Sequence, residues 1–395
     1  MPKPLLSTRS WFFALRHIYV ALTHLVLWTR TNARERMPSE GPVLILANHV
    51  SFLDPPQVGS FVGRNVHFMT SEQLFRVPVL GFLVEKVGAF PKKKFVKDRD
   101  SMVHLNQLYE AGEVVALFPE GSRSWDGRQL PILSGIARLI KRLDARVMFV
   151  RLQTAHLQHP RWARWPRRVP SVMEADSPRS FPPEMSHEEI LEVIRERLSI
   201  DWRREAPRGS FGMRMAEGLP QYVWACPSCF AVDGLQVSSR DRNRVGCKEC
   251  GQAWRVDVHA RMNPADGGEP LLIPDAHDAV KDHFGTPPAL DRERYRETGE
   301  ALWSVGARIH QFDKGRKADS QVVAEGRLVL TDEALIMEGT PWRLPLADLQ
   351  VVSMVIGGAL QLRARGTLYR VEPGASTPSS LWAHFLGHRI GQKTA

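Results

Sequence analysis

The sequence predicts an α/β protein: a mixed, mostly parallel sheet covered by helices in the first half, with smaller units appended behind it. Three observations predict this. The short apolar runs Val43–Ala47, Val66–Met69, Val114–Phe118 and Val147–Leu152 lack clean period-two alternation, as expected of strands buried on both faces. Between them, Asp100–Ala111 and Ile136–Leu143 space their apolar residues as helices do, and Gly112 is a natural stop for the first. After Asp201 the composition shifts, first to paired cysteines and then to short apolar runs punctuated by glycine. At 395 residues the chain exceeds what one core usually supports, so two to three domains are expected.

Ahead of the first strand, Trp11–Trp28 is strongly apolar, yet polar pairs recur at Arg9-Ser10, Arg16-His17, Thr23-His24 and Arg30-Thr31. Their regular spacing equals two helical turns, so they form one stripe on an otherwise apolar helix. A spanning helix needs ~20 predominantly apolar residues. Residues 1–35 therefore read as a helix lying in a membrane interface, with Trp11 and Trp28 at headgroup depth; a soluble core helix is the rival reading. Arg16, His17 and His24 interrupt the apolar region and no small-residue cleavage site follows, so no signal peptide is expected.

Residues 36–205 carry the sheet, and in such sheets ligands collect beyond the carboxyl ends of strands. Two polar segments begin there: Asn48-His49-Val50-Ser51-Phe52-Leu53-Asp54 and Phe118-Pro119-Glu120-Gly121-Ser122-Arg123-Ser124. With 14 histidines in the chain, about one His-x4-Asp should arise by chance. His277 and Asp282 have that spacing in what reads as an exposed helix, where positions five apart diverge by about 140°. His49 instead follows an apolar strand.

The residue types suit proton transfer beside an anion. An imidazole near neutral pH can take the proton from an attacking hydroxyl. Asp54, folded back by the turn that Pro55 and Pro56 enforce, would hold the other ring nitrogen. Arg123 is a fixed cation suited to phosphate. No serine nucleophile or catalytic cofactor is required, and direct transfer from a thioester fits better than a covalent intermediate. The bland reading of His49 is a histidine that caps a helix start.

These residues resemble the glycerolipid acyltransferases of the 1-acylglycerol-3-phosphate type, over roughly residues 10–205. Asn48-His49 with Asp54 looks like that family's first block, which implies His49 as base and Asp54 as its partner. Leu74-Phe75 with Pro78 and Gly81, then Gly88-Ala89-Phe90-Pro91, resembles the second block and its approach. Glu120, Gly121, Ser122 and Arg123 lie in a segment resembling the third, whose Glu and Arg are implicated in binding the acceptor's glycerol phosphate. Lys92, Lys93 and Lys94 stand where the family usually has an arginine, so they are expected to assist as point charges without a bidentate fork. The strand Val147–Leu152 lacks the proline of the fourth block and carries Arg151.

Charge placement agrees. The formal net charge is +10, and nearly all of the surplus falls in residues 1–205. That suits an anionic lipid surface and a phosphorylated substrate, with acyl-CoA or acyl-carrier protein as donor and a lysophospholipid as acceptor. A nucleic-acid partner is not expected, because its basic patch should sit near the cysteines. The segment Arg161-Trp162-Ala163-Arg164-Trp165-Pro166-Arg167-Arg168 interleaves guanidinium and indole groups in a way that suits lipid headgroups; a solvated loop is the alternative. Ser186-His187-Glu188-Glu189 reads as a capping box opening a helix to about Arg204.

Residues 206–220 read as a linker, and 221–260 as a zinc ribbon, because Cys226-Pro227-Ser228-Cys229 and Cys247-Lys248-Glu249-Cys250 are two knuckles at ribbon separation. Four thiolates at Cys226, Cys229, Cys247 and Cys250 would close a structural zinc to substrate; disulfides are the competitor. Residues 261–325 read as a mixed helix and loop region. Residues 326–395 read as a small β-rich domain ending in the helix Ser380–His388, which resembles a pleckstrin-homology-like domain in topology. The expected protein is thus an acyltransferase of phospholipid synthesis on the cytoplasmic face of a membrane, monotopic or peripheral. The rival reading is a non-catalytic lipid-binding scaffold with a drifted fold, recruiting partners through its second half.

Overall fold

The computed structural model describes residues 13–14, 17, 29–92, 98–312, 320–354, 359–374 and 377–391. The expected interfacial helix falls almost wholly outside these residues, as do Lys93 and Lys94. Among the described residues no helix is long and apolar enough to cross a membrane. The chain divides into two compact units, one running to Gly212 and the other beginning at Met213 and including Trp162–Arg164.

The first unit is built on seven strands: β1 (Arg30–Thr31), β2 (Val43–Ala47), β3 (Val66–Ser71), β4 (Phe90–Lys92), β5 (Val114–Leu117), β6 (Val147–Leu152) and β7 (Val172–Ala175). Their spatial order is β1-β7-β6-β2-β5-β3-β4. The strands β6, β2, β5, β3 and β4 run parallel, with Ile45 of β2 in register with Ala116 on one side and Met148 on the other. β7 returns antiparallel to β6. This is the mixed, mostly parallel sheet that the apolar runs predict.

The missing alternation in those runs has a direct cause. Leu44, Leu46, Val115, Leu117, Val147 and Phe149 point into one core with the helices Arg99–Glu110, Gly135–Leu143 and His187–Leu198. Val43, Ile45, Ala47, Val114, Ala116, Met148 and Val150 point into a second core with the helix Asp54–Phe61. Each strand alternates between two dry environments, so no residue position is left to be polar. The capping box at Ser186 is present, with Ser186 and Glu189 bonding each other's backbone N–H. That helix stops at Leu198, not near Arg204, because its buried face of Ile190, Leu191, Ile194 and Leu198 ends there and Ser199 is extended.

The second unit holds two antiparallel sheets. β8 (Leu235–Val237), β9 (Arg244–Cys247), β10 (Ala253–Val256), β11 (Arg261–Pro264) and β12 (Leu271–Leu272) lie in the order β12-β11-β10-β9-β8. β13 (Leu302–Phe312), β14 (Ser320–Leu330), β15 (Ala334–Met337), β16 (Arg343–Pro345), β17 (Leu349–Met354), β18 (Leu360–Ala364) and β19 (Thr367–Glu372) lie in the order β16-β15-β14-β13-β19-β18-β17. The closing helix, Ser379–Arg389, packs on β17 and β18. The mixed helix and loop reading of 261–325 is corrected: β13 and most of β14 lie there and form the longest strand pair of the described residues. A bulge between Ser304 and Ala307, with Gly306 at φ +73°, breaks the period that would have revealed β13. His277 is also not on an exposed helix. The helix Ile273–Phe284 buries Ile273, Ala276, Val280 and Phe284, and the His277 ring stacks on Tyr222 at 4.1 Å.

Candidate active site

His49 leaves the carboxyl end of β2 on a short loop that the helix Asp54–Phe61 closes. Asp54 is the first residue of that helix, and Pro55 and Pro56 follow it where missing amide hydrogens cost nothing. Its Oδ2 is the hub of the turn: it accepts from His49 Nδ1 at 2.8 Å, from the Val50 N–H at 2.7 Å and from the Ser51 N–H at 2.8 Å. Asp54 is fully buried while 18% of the His49 side chain remains exposed. The carboxylate therefore fixes the proton on Nδ1 and leaves Nε2 as the basic nitrogen.

Three contacts fix the loop against its neighbours. The Asn48 side chain donates to Leu152 O at 3.3 Å and accepts from Leu152 N–H at 2.7 Å, which clasps the ends of β2 and β6 together. The His49 ring stacks on Phe118 with centroids 4.0 Å apart. Ser124 N–H donates to His49 O at 2.8 Å.

Glu120 joins the two motifs. Its Oε1 accepts the His49 N–H at 3.2 Å and its Oε2 accepts the Leu130 N–H at 2.9 Å. The carboxylate thus braces backbone from inside the fold, and an acceptor molecule is not needed to explain it. Gly121 makes the turn behind it: its φ is +69°, and a Cβ there would meet Leu133 Cδ1 at 2.8 Å. The turn delivers Ser122 and Arg123. The Arg123 guanidinium forms no ion pair among the described residues, while Arg161 donates to Arg123 O at 2.8 Å and to Ser122 Oγ at 3.4 Å.

Burial sets the electrostatics. It lowers the proton affinity of His49 below the ordinary histidine range against the opposing pull of Asp54, and Arg123 and Arg161 lower it further. The ring is therefore neutral, and competent as a base, at pH 7. Burial raises Glu120 to about 7, opposed by the two amides that it accepts. Burial also lowers Arg123, with Asp54 opposing. Lys92 lines a cavity of about 420 Å³ with Asp98, Arg99, Met102, Val103, Asn106 and Arg142. Sequence reasoning missed Asn48's clasp and the proximity of Arg161, both made across long stretches of chain that no local pattern announces.

In the second unit, Cys226, Cys229, Cys247 and Cys250 converge, with their sulfurs all within 4.8 Å of one another. Cys226 Sγ lies 3.8 Å from Cys250 Sγ and Cys229 Sγ 3.7 Å from Cys247 Sγ. A disulfide needs about 2.0 Å. A tetrahedron of ~2.3 Å metal–sulfur bonds has edges of about 3.8 Å, so the donor set fits a metal ion.

Residues 29–152 match the family model described as Acyltransferase. The chain is similar to a chloroplastic 1-acyl-sn-glycerol-3-phosphate acyltransferase of Brassica napus, 34% identical over 104 residues, or 26% of this chain and 30% of that protein. It is also similar to a 1-acyl-sn-glycerol-3-phosphate acyltransferase of Bacillus subtilis, 26% identical over 92 residues, or 23% of this chain and 46% of that one. The chain thus spans less than half the length of these curated relatives. A crystal structure of a 1-acyl-sn-glycerophosphate acyltransferase from Thermotoga maritima aligns over 50% of this chain and 81% of its own, with a TM-score of 0.42 and 19% identity.

Proposed function

We propose, taking the Acyltransferase match of residues 29–152 as premise, that this protein is an O-acyltransferase that moves a fatty acyl group from a thioester to the hydroxyl of a lysophospholipid, 1-acylglycerol 3-phosphate above all. The observation that carries it is the 2.8 Å bond from a partly exposed His49 to a fully buried Asp54 at the end of a central strand. Nε2 of His49 takes the proton of the acceptor hydroxyl as its oxygen attacks the thioester carbonyl carbon. The C–S bond then breaks, and the imidazolium returns the proton to the departing thiolate. Asp54 stabilises the imidazolium throughout. Arg123 binds the acceptor phosphate, while Glu120, Gly121 and Ser122 shape the turn that presents it.

The test is thiol release from acyl-CoA or acyl-carrier protein by purified protein, with and without lysophospholipid. Release that depends on the acceptor is expected. Its absence with both donors, in protein that still binds lipid vesicles, would favour the scaffold reading. The cytoplasmic membrane face, reached through residues 11–28, is the location that the basic first half favours; flotation with anionic vesicles tests the attachment.

In the second unit, the four cysteines would hold one structural zinc, with no coordination position left for substrate. Metal analysis should give one zinc per chain, and Cys247→Ser should lose it together with several kcal/mol of stability, about the scale on which such sites contribute to folding.

A further inference from the structure

Arg161 lies beyond the segment matched by the Acyltransferase model, on the loop after the short helix Ala155–Gln158, and its surroundings are unusual for a surface arginine. Its guanidinium packs over the Trp125 ring at 4.4 Å. From there it donates to Arg123 O and Ser122 Oγ, so it reaches the same turn that carries Arg123. Both guanidiniums are near enough to His49 to depress its affinity for a proton.

The two cations share a place with no carboxylate bonded to either. Among the described residues neither forms an ion pair with a carboxylate. The one acid that eases Arg123 electrostatically is Asp54, whose Oδ2 is already occupied by His49 and two backbone amides. Burial and the neighbouring Arg123 bring Arg161 down to about 10, well below an ordinary arginine. Holding two like charges together in partial burial is costly unless something of opposite charge completes the site. Glu217, Asp241 and Glu300 show that acids are recruited to arginines elsewhere in the chain. Here none is.

We propose that Arg161 is the second guanidinium of the acceptor site, and that Arg123 and Arg161 together select a phosphomonoester, which carries up to two charges, over acceptors that present a phosphodiester or no phosphate. This rests on the acyl-transfer reading above and adds to it the residue that sets acceptor choice. Packing over Trp125 and the bonds to Arg123 O and Ser122 Oγ hold the Arg161 guanidinium against the turn that carries Arg123, and on this proposal both forks take the one phosphate. A structural brace alone would need the hydrogen bonds but not the uncompensated charge.

The experiment compares the full-length protein with Arg161→Ala and Arg161→Lys on three acceptors: 1-acylglycerol 3-phosphate, 1-acylglycerophosphocholine and 1-monoacylglycerol. Each variant's melting temperature is recorded beside its kinetics. Charged hydrogen bonds of this type correspond to a loss of about ten- to hundred-fold. Arg161→Ala should place that loss on KM for the phosphomonoester, with a much smaller change for the other two acceptors, and Arg161→Lys should recover part of it. An equal fall in kcat on all three acceptors would reduce Arg161 to a brace and overturn the proposal, as would an unchanged KM. Calorimetric titration with glycerol 3-phosphate separates this proposal from the acyl-transfer reading. Wild-type protein that binds this ligand through Arg161 but transfers no acyl group would retire the enzyme and keep the site. Binding indifferent to Arg161 would retire the site.

Discussion

His49 and His277 are each followed five positions later by an aspartate, and the two segments end in different chemistry. The first lies past the end of a central strand, where the chain turns back and Asp54 opens a helix whose N-terminus gathers His49, Val50 and Ser51 onto one carboxylate oxygen. The second lies within the helix Ile273–Phe284, where the same separation sends two side chains to different faces and His277 stacks on Tyr222. Spacing is thus necessary and far from sufficient. What distinguishes the first imidazole is a buried carboxylate on one ring nitrogen and a side chain that stays partly exposed.

The sharpest test of that contrast removes each imidazole in turn. His49→Ala should lower transfer by about 10³-fold or more, the scale of a lost general base, while His277→Ala should leave the rate within about twofold. Equal losses would break the comparison. Asp54→Asn comes next: one oxygen can still accept, but the ring is no longer held in a single tautomer. A fall of about 10²-fold or more in kcat is expected.

A smaller effect sharpens the account of how the two motifs are joined. The Glu120 carboxyl is held at about 7 against an ordinary value of 4.5. Between those values the unfolded chain has lost a proton that the folded chain keeps, so this group's contribution to stability falls as pH rises through that window. Glu120→Gln should flatten the fall, which amounts to roughly 3 kcal/mol at most, in denaturant titrations at pH 5 and pH 8. A pH profile unchanged by the substitution would remove Glu120 from the linkage. The smallest effect belongs to Asn48→Ala, which gives up both bonds to Leu152 and should cost about 1–3 kcal/mol in unfolding free energy.

Legibility in the sequence followed locality. Val43–Ala47 and Val147–Leu152 are bounded in the structure as their apolar runs predict, because polar or turn-forming residues flank each one. The His49–Asp54 pair was readable because everything that builds it lies within one turn of chain. Arg161 was not, since its bonds to Ser122 and Arg123 span 39 and 38 positions, and its indole-rich surroundings resemble a headgroup loop equally well. β13 was hidden by its bulge, which breaks the alternation of buried and exposed positions.

The loops bearing His49 and Arg123 both hang from β2 and β5, neighbouring strands in which every residue is buried. In hydrogen-exchange terms, those amides belong to the part of the domain that opens last, whereas edge strands such as β1 and β4 can fray at little cost. Warming the protein would therefore loosen its periphery well before it disturbed the loops that bear His49 and Arg123.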